Sequence, residues 1–407
     1  MKRIARLAVL VVPVIGANPS AAQPWEFDDA LDVTRIHGNG IFHHLESSGR
    51  RNVAVSDGAV AVAWEDDHDG TPRVYLARKD VDDYGFDAPV RMSGDGEAYE
   101  PSLAALERNG FVVAWEEDGH VHARFTAGQR LGPIIRLSDS EAAQANVSVR
   151  GSRAYVLHAE RDGRFFRIRL HILRIDDSLT LKSESDCAVD PAPLEDDQFY
   201  PASAIAGDEL ITAWEDRRPG HTIIMASSAK LNDSCALRSP VRISERRAGE
   251  ESQYGKGHGV ARVALGGFGD SDVLAVWADK RKYWEGYDIY AAGYLGDGRF
   301  GPNTKVQDEF GDFARQWHAA IAGSVNGRVA VAWDDEREGN SDIMLSWFED
   351  GEWSEDLPLP DASGEGQQTH PSIVMDAEGN LHAAWVERME ENGPTRLRYQ
   401  FGRLAGE

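Results

Sequence analysis

The stretch Val60-Ala61-Val62-Ala63-Trp64-Glu65-Asp66 decides the fold, because the same pattern returns along the whole chain. It is a short apolar run that ends in tryptophan and leads into acidic residues, as expected of a buried β-strand that enters a polar loop. Five further copies end in tryptophan and one ends in histidine, at Trp115, His158, Trp214, Trp277, Trp333 and Trp385. A repeat of roughly fifty residues predicts a β-propeller.

Each repeat contains four strand-like runs, which we name a to d from the centre of the propeller to its rim. Examples from the first two repeats are residues 101–105 for strand a, 112–115 for strand b, 73–76 for strand c and 89–93 for strand d. No long stretch has a helical period, which makes the chain all-β. These patterns predict a seven-bladed β-propeller of four-stranded blades.

The two ends of the chain predict how the ring closes. The seventh repeat stops after its c run at 397–401, whereas residues 33–37 resemble a d run without a repeat of their own. We therefore expect the N-terminal strand to complete the last blade, which removes two exposed sheet edges.

The first residues predict export. Lys2, Arg3 and Arg6 precede an apolar run over 7–17 that is too short to span a membrane, and small residues follow at 20–22. This is the organisation of a secretory signal peptide. We expect a signal peptide at 1–22, a single propeller domain at 23–407, a periplasmic or extracellular location and no membrane insertion.

Charge and cysteine content narrow the partners further. The chain carries 43 Lys and Arg against 68 Asp and Glu, a formal net charge of −25, which argues against nucleic acid as a partner. Its two cysteines, Cys187 and Cys235, both fall between c and d runs of neighbouring repeats. In an oxidising compartment they predict a disulfide between the third and fourth blades.

The acidic motif after the tryptophan resembles a known repeat. Trp214-Glu215-Asp216-Arg217-Arg218 and Trp333-Asp334-Asp335-Glu336-Arg337 look like the bacterial neuraminidase repeat (BNR, or Asp-box) propellers of the sialidase-like superfamily. The resemblance extends over all seven repeats and implies the fold, with many activities open. It departs from true sialidases, because 350–353 lacks the serine of an Asp-box and 166–169 has arginine where proline is expected.

One acid per repeat follows the tryptophan position by two residues. These acids are Asp66, Glu117, Glu160, Asp216, Asp279, Asp335 and Glu387. Because every repeat keeps one, we interpret them as structural caps of the b–c loops, in three cases paired with an arginine two residues on. The alternative is that Arg218, Arg281 and Arg337 bind a carboxylate or sulfate of a glycan.

A second set of residues, at the entrance of strand a, differs from repeat to repeat. It comprises Arg51, Glu100, Gln144, Tyr200, His258, His318 and His370, which we expect at the mouth of the central channel. Tyr200, the three histidines and Arg51 are the candidate catalytic residues, and Glu100 is a candidate ligand-binding residue. His258, His318 and His370 also suit a divalent metal ion. The alternative is that these side chains only bind one another and channel water.

Two weaker candidates lie in loops near the same mouth. His43 and His44 enter the first blade and either overhang the channel or remain solvated. Trp284 and Tyr287, in the longest b–c loop, have flat faces suited to stacking on a sugar ring.

These observations leave three functions open. The first is an exported propeller that binds a ligand, a glycan or a protein partner, at the channel mouth. The second is a polysaccharide-degrading enzyme, a lyase or glycoside hydrolase, that uses a cluster of histidine, tyrosine and arginine there. The third is a scaffold without catalysis. A deep pocket in which these three residue types converge would favour the enzyme.

Overall fold

The computed structural model describes residues 23–46, 49–106, 110–176, 178–218, 220–245, 259–281, 286–349 and 351–406. Seven antiparallel sheets follow one another around a ring, which confirms the predicted seven-bladed, all-β propeller. Residues 1–22, with the predicted signal peptide, lie outside the described residues.

The first three blades have the following strands, in the order a to d. Blade 1 comprises His43–His44 with Val53–Ser56, then Ala59–Asp66, Arg73–Asp80 and Val90–Arg91. Blade 2 comprises Ala98–Leu106, Gly110–Glu117, His120–Ala127, and Arg130–Leu131 with Ile135–Arg136. Blade 3 comprises Ala142–Arg150, Arg153–Asp162, Phe165–Ile175 and Leu181–Ala188.

The remaining blades repeat this order. Blade 4 comprises Gln198–Ala206, Glu209–Asp216, Ile223–Lys230 and Val241–Arg242, with the 3-10 helix Leu231–Asp233. Blade 5 comprises Val260–Phe268, Asp272–Asp279, Asp288–Gly296, and Arg299–Phe300 with Thr304–Lys305. Blade 6 comprises Gln316–Gly323, Val329–Asp335, Asp342–Glu349, and Glu352–Trp353 with Leu357–Pro358, preceded by the 3-10 helix Glu309–Gly311. Blade 7 comprises Gln367–Met375, Leu381–Arg388 and Thr395–Leu404, completed by Trp25–Phe27 and Leu31–Asp32. No helix of the described chain has the length and hydrophobicity to cross a membrane.

Alternate residues of each strand face the two neighbouring blades, so the core is divided into layers between blades. In blade 2, Trp115 packs toward Ala63 and Leu76 of blade 1, whereas Val112 and Ala114 pack toward Val156 of blade 3. All six tryptophans of the repeat are fully buried. Burial of side chains this large is a major stabilising contribution to the layers that contain them.

The N-terminal segment closes the ring as predicted, but with different strand bounds. Leu31 and Asp32 pair with Tyr399 and Arg398, and the Val33 amide donates to the Leu397 carbonyl at 2.9 Å. The expected strand over 33–37 is wrong beyond Val33, because the chain turns there. An additional rim strand, Trp25–Phe27, pairs with the end of the last strand of blade 7.

The disulfide between Cys187 and Cys235 is present, with Cα atoms 5.9 Å apart. Cys235 follows the 3-10 helix of blade 4, and Cys187 lies within strand d of blade 3 rather than before it. The bond therefore joins the rims of blades 3 and 4, as predicted.

We expect Trp25→Ala to destabilise the fold by about 3–5 kcal/mol, the usual cost of truncating a buried tryptophan. Trp25 is 3% exposed, contacts Trp347 edge to face at 6.0 Å and donates to the Gly379 carbonyl at 2.9 Å. Glu26→Ala, on the exposed side of the same strand, is the control and should leave the denaturant midpoint nearly unchanged. Equal midpoints for the two variants would contradict this closure.

Replacing both cysteines with serine should lower the free energy of unfolding by about 2–4 kcal/mol, because the cross-link restricts the unfolded chain. Denaturant unfolding of the parent with and without reductant provides the control. Reductant should lower the midpoint of the parent to that of the variant and leave the variant unchanged. A parent insensitive to complete reduction would refute a stabilising role.

Candidate active site at the channel mouth

Six of the seven a strands contain a β-bulge at the same place, and one non-glycine residue of each bulge has a positive φ. These residues are Glu100 (48°), Gln144 (65°), Tyr200 (49°), Arg262 (58°), His318 (50°) and His370 (57°). Positive φ is uncommon outside glycine, and bulges re-aim side chains. Here the bulge brings one side chain from each of six blades toward the axis, where side chains of different blades touch.

The structure corrects two of the expected positions. In blade 5 the position belongs to Arg262, and the expected His258 lies outside the described residues. In blade 1 an insertion between the two parts of strand a presents Glu46 and Arg50 instead of Arg51. The Arg51 guanidinium donates to the Leu265 carbonyl at 2.9 Å, and burial lowers its pKa. Arg51 therefore spans the channel and is not part of the cluster at the mouth.

Four carboxylates that the sequence analysis did not single out hold the bulges in place. Each directly follows the tryptophan of one blade and accepts the bulge amide of the next blade. The acceptors are Glu65 for Glu100 at 2.7 Å, Glu116 for Gln144, Glu215 for Arg262 at 2.8 Å and Asp334 for His370 at 2.9 Å. In blade 3 the residue after His158 is Ala159, and Gln144 accepts the Tyr200 amide instead, at 2.7 Å. The sequence contained one signal for these carboxylates, the first acid of the Trp-acid-acid motif. Because side chains alternate along a strand, this acid points away from the side of the tryptophan.

One side of the mouth is a buried network of one arginine and three acids. Arg50 lies 2.5 Å from Glu100, 3.6 Å from Glu46 and 3.8 Å from Glu116. Burial and the charge of Glu100 raise the pKa of Glu116 to about 8. Burial by itself raises the pKa of Glu46. The hydrogen bond from His44 and the charges of Arg50 and Arg262 outweigh burial and hold this pKa at about 2. Neighbouring carboxyl groups thus differ in protonation at neutral pH.

The other side of the mouth contains three histidines. His318 and His370 stack with ring centroids 4.0 Å apart, and His44 meets His370 edge to face at 5.0 Å. His318 Nδ1 lies 2.6 Å from Asp334 Oδ2. Burial lowers the pKa of His318, but the charge of Asp334 outweighs it and raises that pKa overall. Burial and the charges of the other two histidines hold the pKa of His370 well below its ordinary value.

The predicted metal-binding set is changed by this geometry. Nitrogens of His318 and His370 and a carboxylate oxygen of Asp334 lie within 4.8 Å of one another. Asp334 thus stands where His258 was expected, and metal binding at the mouth stays a prediction.

A cavity of about 770 Å³ opens beside the histidines. Tyr200, Glu215, Arg262 and His318 line it, together with the aromatic pair Tyr287 and Trp317. The rings of that pair have centroids 4.1 Å apart, and the Arg262 guanidinium carbon lies 3.4 Å from the centre of the Tyr200 ring. Tyr287 is therefore in the wall of the cavity, whereas Trp284 lies outside the described residues.

The arginines of the b–c loops are held in ion pairs. Arg218 binds Asp216 at 2.6 Å and Asp190 at 2.7 Å. Arg337 likewise binds Asp335 and Asp356, and Arg281 binds Asp279 at 2.7 Å. Each of these guanidinium groups is thus paired with at least one carboxylate, as Glu100 is with Arg50. Ligand binding by Arg218, Arg281, Arg337 and Glu100 stays a prediction.

Comparisons with known proteins support the fold. No family model matches the chain, and no curated protein matches it. A protein of unknown function from Dyadobacter fermentans shares 11% identity over 94% of this chain and 100% of its own, with a TM-score of 0.53. A Fusarium graminearum α-L-arabinofuranosidase in complex with arabinobiose shares 10% over 71% and 89%, with a TM-score of 0.48. A Penicillium chrysogenum α-L-arabinanase shares 12% over 71% and 89%, with a TM-score of 0.45. At this identity the Dyadobacter fermentans protein supports the fold alone.

We expect His318 to titrate above the ordinary pKa of 6.5 and His370 below it, as measured by NMR of the ring nitrogens. Because the raised pKa belongs to the folded state, protonation of His318 beside Asp334 stabilises the fold below pH 6.5. This stabilisation is lost as the pH rises through the folded pKa of His318. Asp334→Asn should lower the pKa of His318, whereas Glu336→Gln, an exposed acid of the same loop, should not. An unchanged His318 pKa in Asp334→Asn would refute the ion pair.

Proposed function

We propose that the protein is an exported polysaccharide-degrading enzyme whose catalytic centre is the channel mouth. The observation that carries the proposal is that tyrosine, arginine and histidine converge on one large cavity, as Tyr200, Arg262 and His318. A cavity with a few converging polar groups and shifted pKa values is the usual form of a small-molecule site. A scaffold needs no such convergence.

The walls of the cavity suit a sugar. Tyr287 and Trp317 supply aromatic faces, against which the apolar C–H face of a sugar ring can pack. Arg262 supplies a cation on the same wall. We assign the aromatic pair to binding and Arg262 to orienting the oxygen atoms or a carboxylate of the substrate.

The chemistry would be proton transfer by groups of different pKa. Burial raises the pKa of Glu215, which favours the protonated form that a general acid requires. His318, whose charge Asp334 stabilises, is a second proton donor, and the neutral His370 stacked on it is available as the base. The Tyr200 hydroxyl is a further proton donor in the wall of the cavity. Neighbouring titratable groups whose pKa values are pushed apart characterise acid–base catalysis.

The strongest competing function is glycan binding without turnover. It is favoured by the contacts that already restrain Arg262, which lies 3.7 Å from Glu46 and 3.9 Å from Glu215 and stacks on Tyr200. A restrained cation can position a ligand without moving a proton. The test must therefore measure binding and cleavage separately.

The export that we propose rests on two features. Residues 1–22 have the organisation of a signal peptide, and the Cys187–Cys235 bond suits an oxidising compartment. The net charge of −25 makes a nucleic-acid partner unfavourable.

Incubation of the mature chain with neutral and uronate-containing polysaccharides should release oligosaccharides. New reducing ends alone indicate hydrolysis, and additional ultraviolet absorbance of an unsaturated uronate indicates elimination. Tyr200→Phe and His318→Asn should each lower kcat by about 100-fold or more, the usual contribution of a general acid or base. Tyr84→Phe, at a fully exposed tyrosine, should not.

Calorimetry of the same variants with the same polysaccharides decides between the two functions. Binding within a few-fold of the parent together with lost turnover supports the enzyme. Binding without cleavage by the parent refutes catalysis and leaves a glycan-binding propeller. If the protein neither binds nor cleaves any of these polysaccharides, the proposal is overturned.

A further inference from the structure

Blade 3 is the one blade in which the buried tryptophan of the repeat is replaced, by His158. In five other blades the indole nitrogen donates to the carboxylate two residues on, for example Trp115 to Glu117 at 2.9 Å. His158 is fully buried, and neither of its ring nitrogens has a hydrogen-bond partner among the described residues. The substitution therefore removes the hydrogen bond of the repeat and leaves two polar atoms in its place.

A second histidine lies against the first. His171, on the neighbouring strand c, stacks on His158 with ring centroids 5.0 Å apart and an interplanar angle of 16°. It is 8% exposed, and its Nε2 also lacks a partner in the described chain. Buried polar atoms without a partner cost about 1–3 kcal/mol each. Three such atoms in one place indicate that something else satisfies them.

The third member of the group is Glu160, the loop acid of blade 3. Its Oε1 accepts the amides of Asp139 and Ser140, both at 2.8 Å, which hold the carboxylate in place. Its Oε2 takes part in neither bond. Ligand atoms of His158, Glu160 and His171 all lie within 4.8 Å of one another.

We propose that His158, Glu160 and His171 form a binding site for a divalent transition-metal ion of the zinc type. Two imidazole nitrogens and one carboxylate are a ligand set that zinc prefers, whereas calcium and magnesium prefer oxygen ligands alone. Bonds of about 2.0–2.1 Å place tetrahedral ligands about 3.3 Å apart, so the side chains must close by roughly 1.5 Å on the ion. The two nearly parallel rings must also rotate, because the lone pair of each nitrogen lies in the plane of its ring.

The protonation state of the rings agrees with this site. Burial, and then the neighbouring His171, lower the pKa of His158 to about 3, and burial lowers the pKa of His171. Neutral imidazole has the free lone pair that a metal ligand requires.

This site is separate from the channel mouth. Val156 and His158 alternate with Leu157 and Ala159 along strand b of blade 3, and Val156 packs in the layer between blades 2 and 3. His158 therefore faces blade 2, inside the ring wall. Deep burial between two strands assigns the ion a structural role, stabilising blade 3 where the other blades have a tryptophan.

Two substitutions test the site without departing from the repeat. His158→Trp installs the residue of the other six blades, and His171→Ser installs the residue found at the matching position in blades 4 and 6, Ser227 and Ser346. His382→Gln is the matched control, because His382 is equally buried but both of its nitrogens have partners, Tyr399 and Asp376. Every protein in this comparison, including the parent, carries His370→Asn, which removes one histidine of the mouth cluster.

The mature chain is stripped with a chelator, titrated with Co²⁺ while visible absorbance is recorded, and then challenged with Zn²⁺. We expect one Co²⁺ ion with the intense absorbance of a four- or five-coordinate site, displaced by Zn²⁺, and a higher melting temperature with Zn²⁺ bound. Affinity should fall by about 100-fold or more in His158→Trp and in His171→Ser, since loss of an outer-shell partner alone costs 10–100-fold. His382→Gln should bind like the parent.

Circular dichroism establishes that each variant is folded, and two independent variants keep the test decisive if one of them fails. A parent that binds neither Co²⁺ nor Zn²⁺ overturns the proposal and leaves a hydrated histidine pair. Unchanged affinity in a folded His158→Trp or His171→Ser overturns it as well. None of these outcomes depends on the activity proposed for the mouth.

Discussion

The hydrogen bond from the buried tryptophan to the carboxylate two residues on sets the order of the side chains at the end of strand b. It joins the end of strand b to its loop in five blades, at 2.7–3.2 Å. Because side chains alternate along a strand, fixing the tryptophan and this acid on one face fixes the intervening residue on the other. In four blades that residue is an acid that holds the bulge of the next blade.

The bulges turn a repeated architecture into an asymmetric site. Each places one residue in a left-handed conformation, which costs of order 1–3 kcal/mol and persists only when its surroundings hold it. In four bulges the surroundings include a carboxylate of the preceding blade, and at Tyr200 they include the side-chain amide of Gln144. The site can therefore differ in every blade, from Glu100 to His370, while the backbone supporting it stays the same.

Burial of so many charges at the axis is expensive, and the network offsets this cost by pairing. Arg50 is 4% exposed and has three carboxylates around it. The pKa of one of them, Glu116, is raised, which favours its protonated form. Removing one member of such a group leaves the others uncompensated, so the members act together. The arginines of the b–c loops are also paired with carboxylates, but each forms its own small group away from the mouth. In blade 3, His158 and His171 lack such partners, and this distinguishes them from the buried His382.

The number of blades, the closure of the ring and the cysteine pairing could be predicted from the sequence, because each follows from the period of the repeat and from where a residue falls within it. The sequence also placed Glu100, Gln144, Tyr200, His318 and His370 at the mouth. Only the tertiary structure decided that Arg262 takes the position expected of His258, and that Glu46 and Arg50 take the position expected of Arg51. A bulge adds a residue without a sequence signature, and the insertion in blade 1 has no counterpart in the other repeats. The pKa differences among the acids were likewise beyond the sequence, because they depend on burial and on charges contributed by other blades.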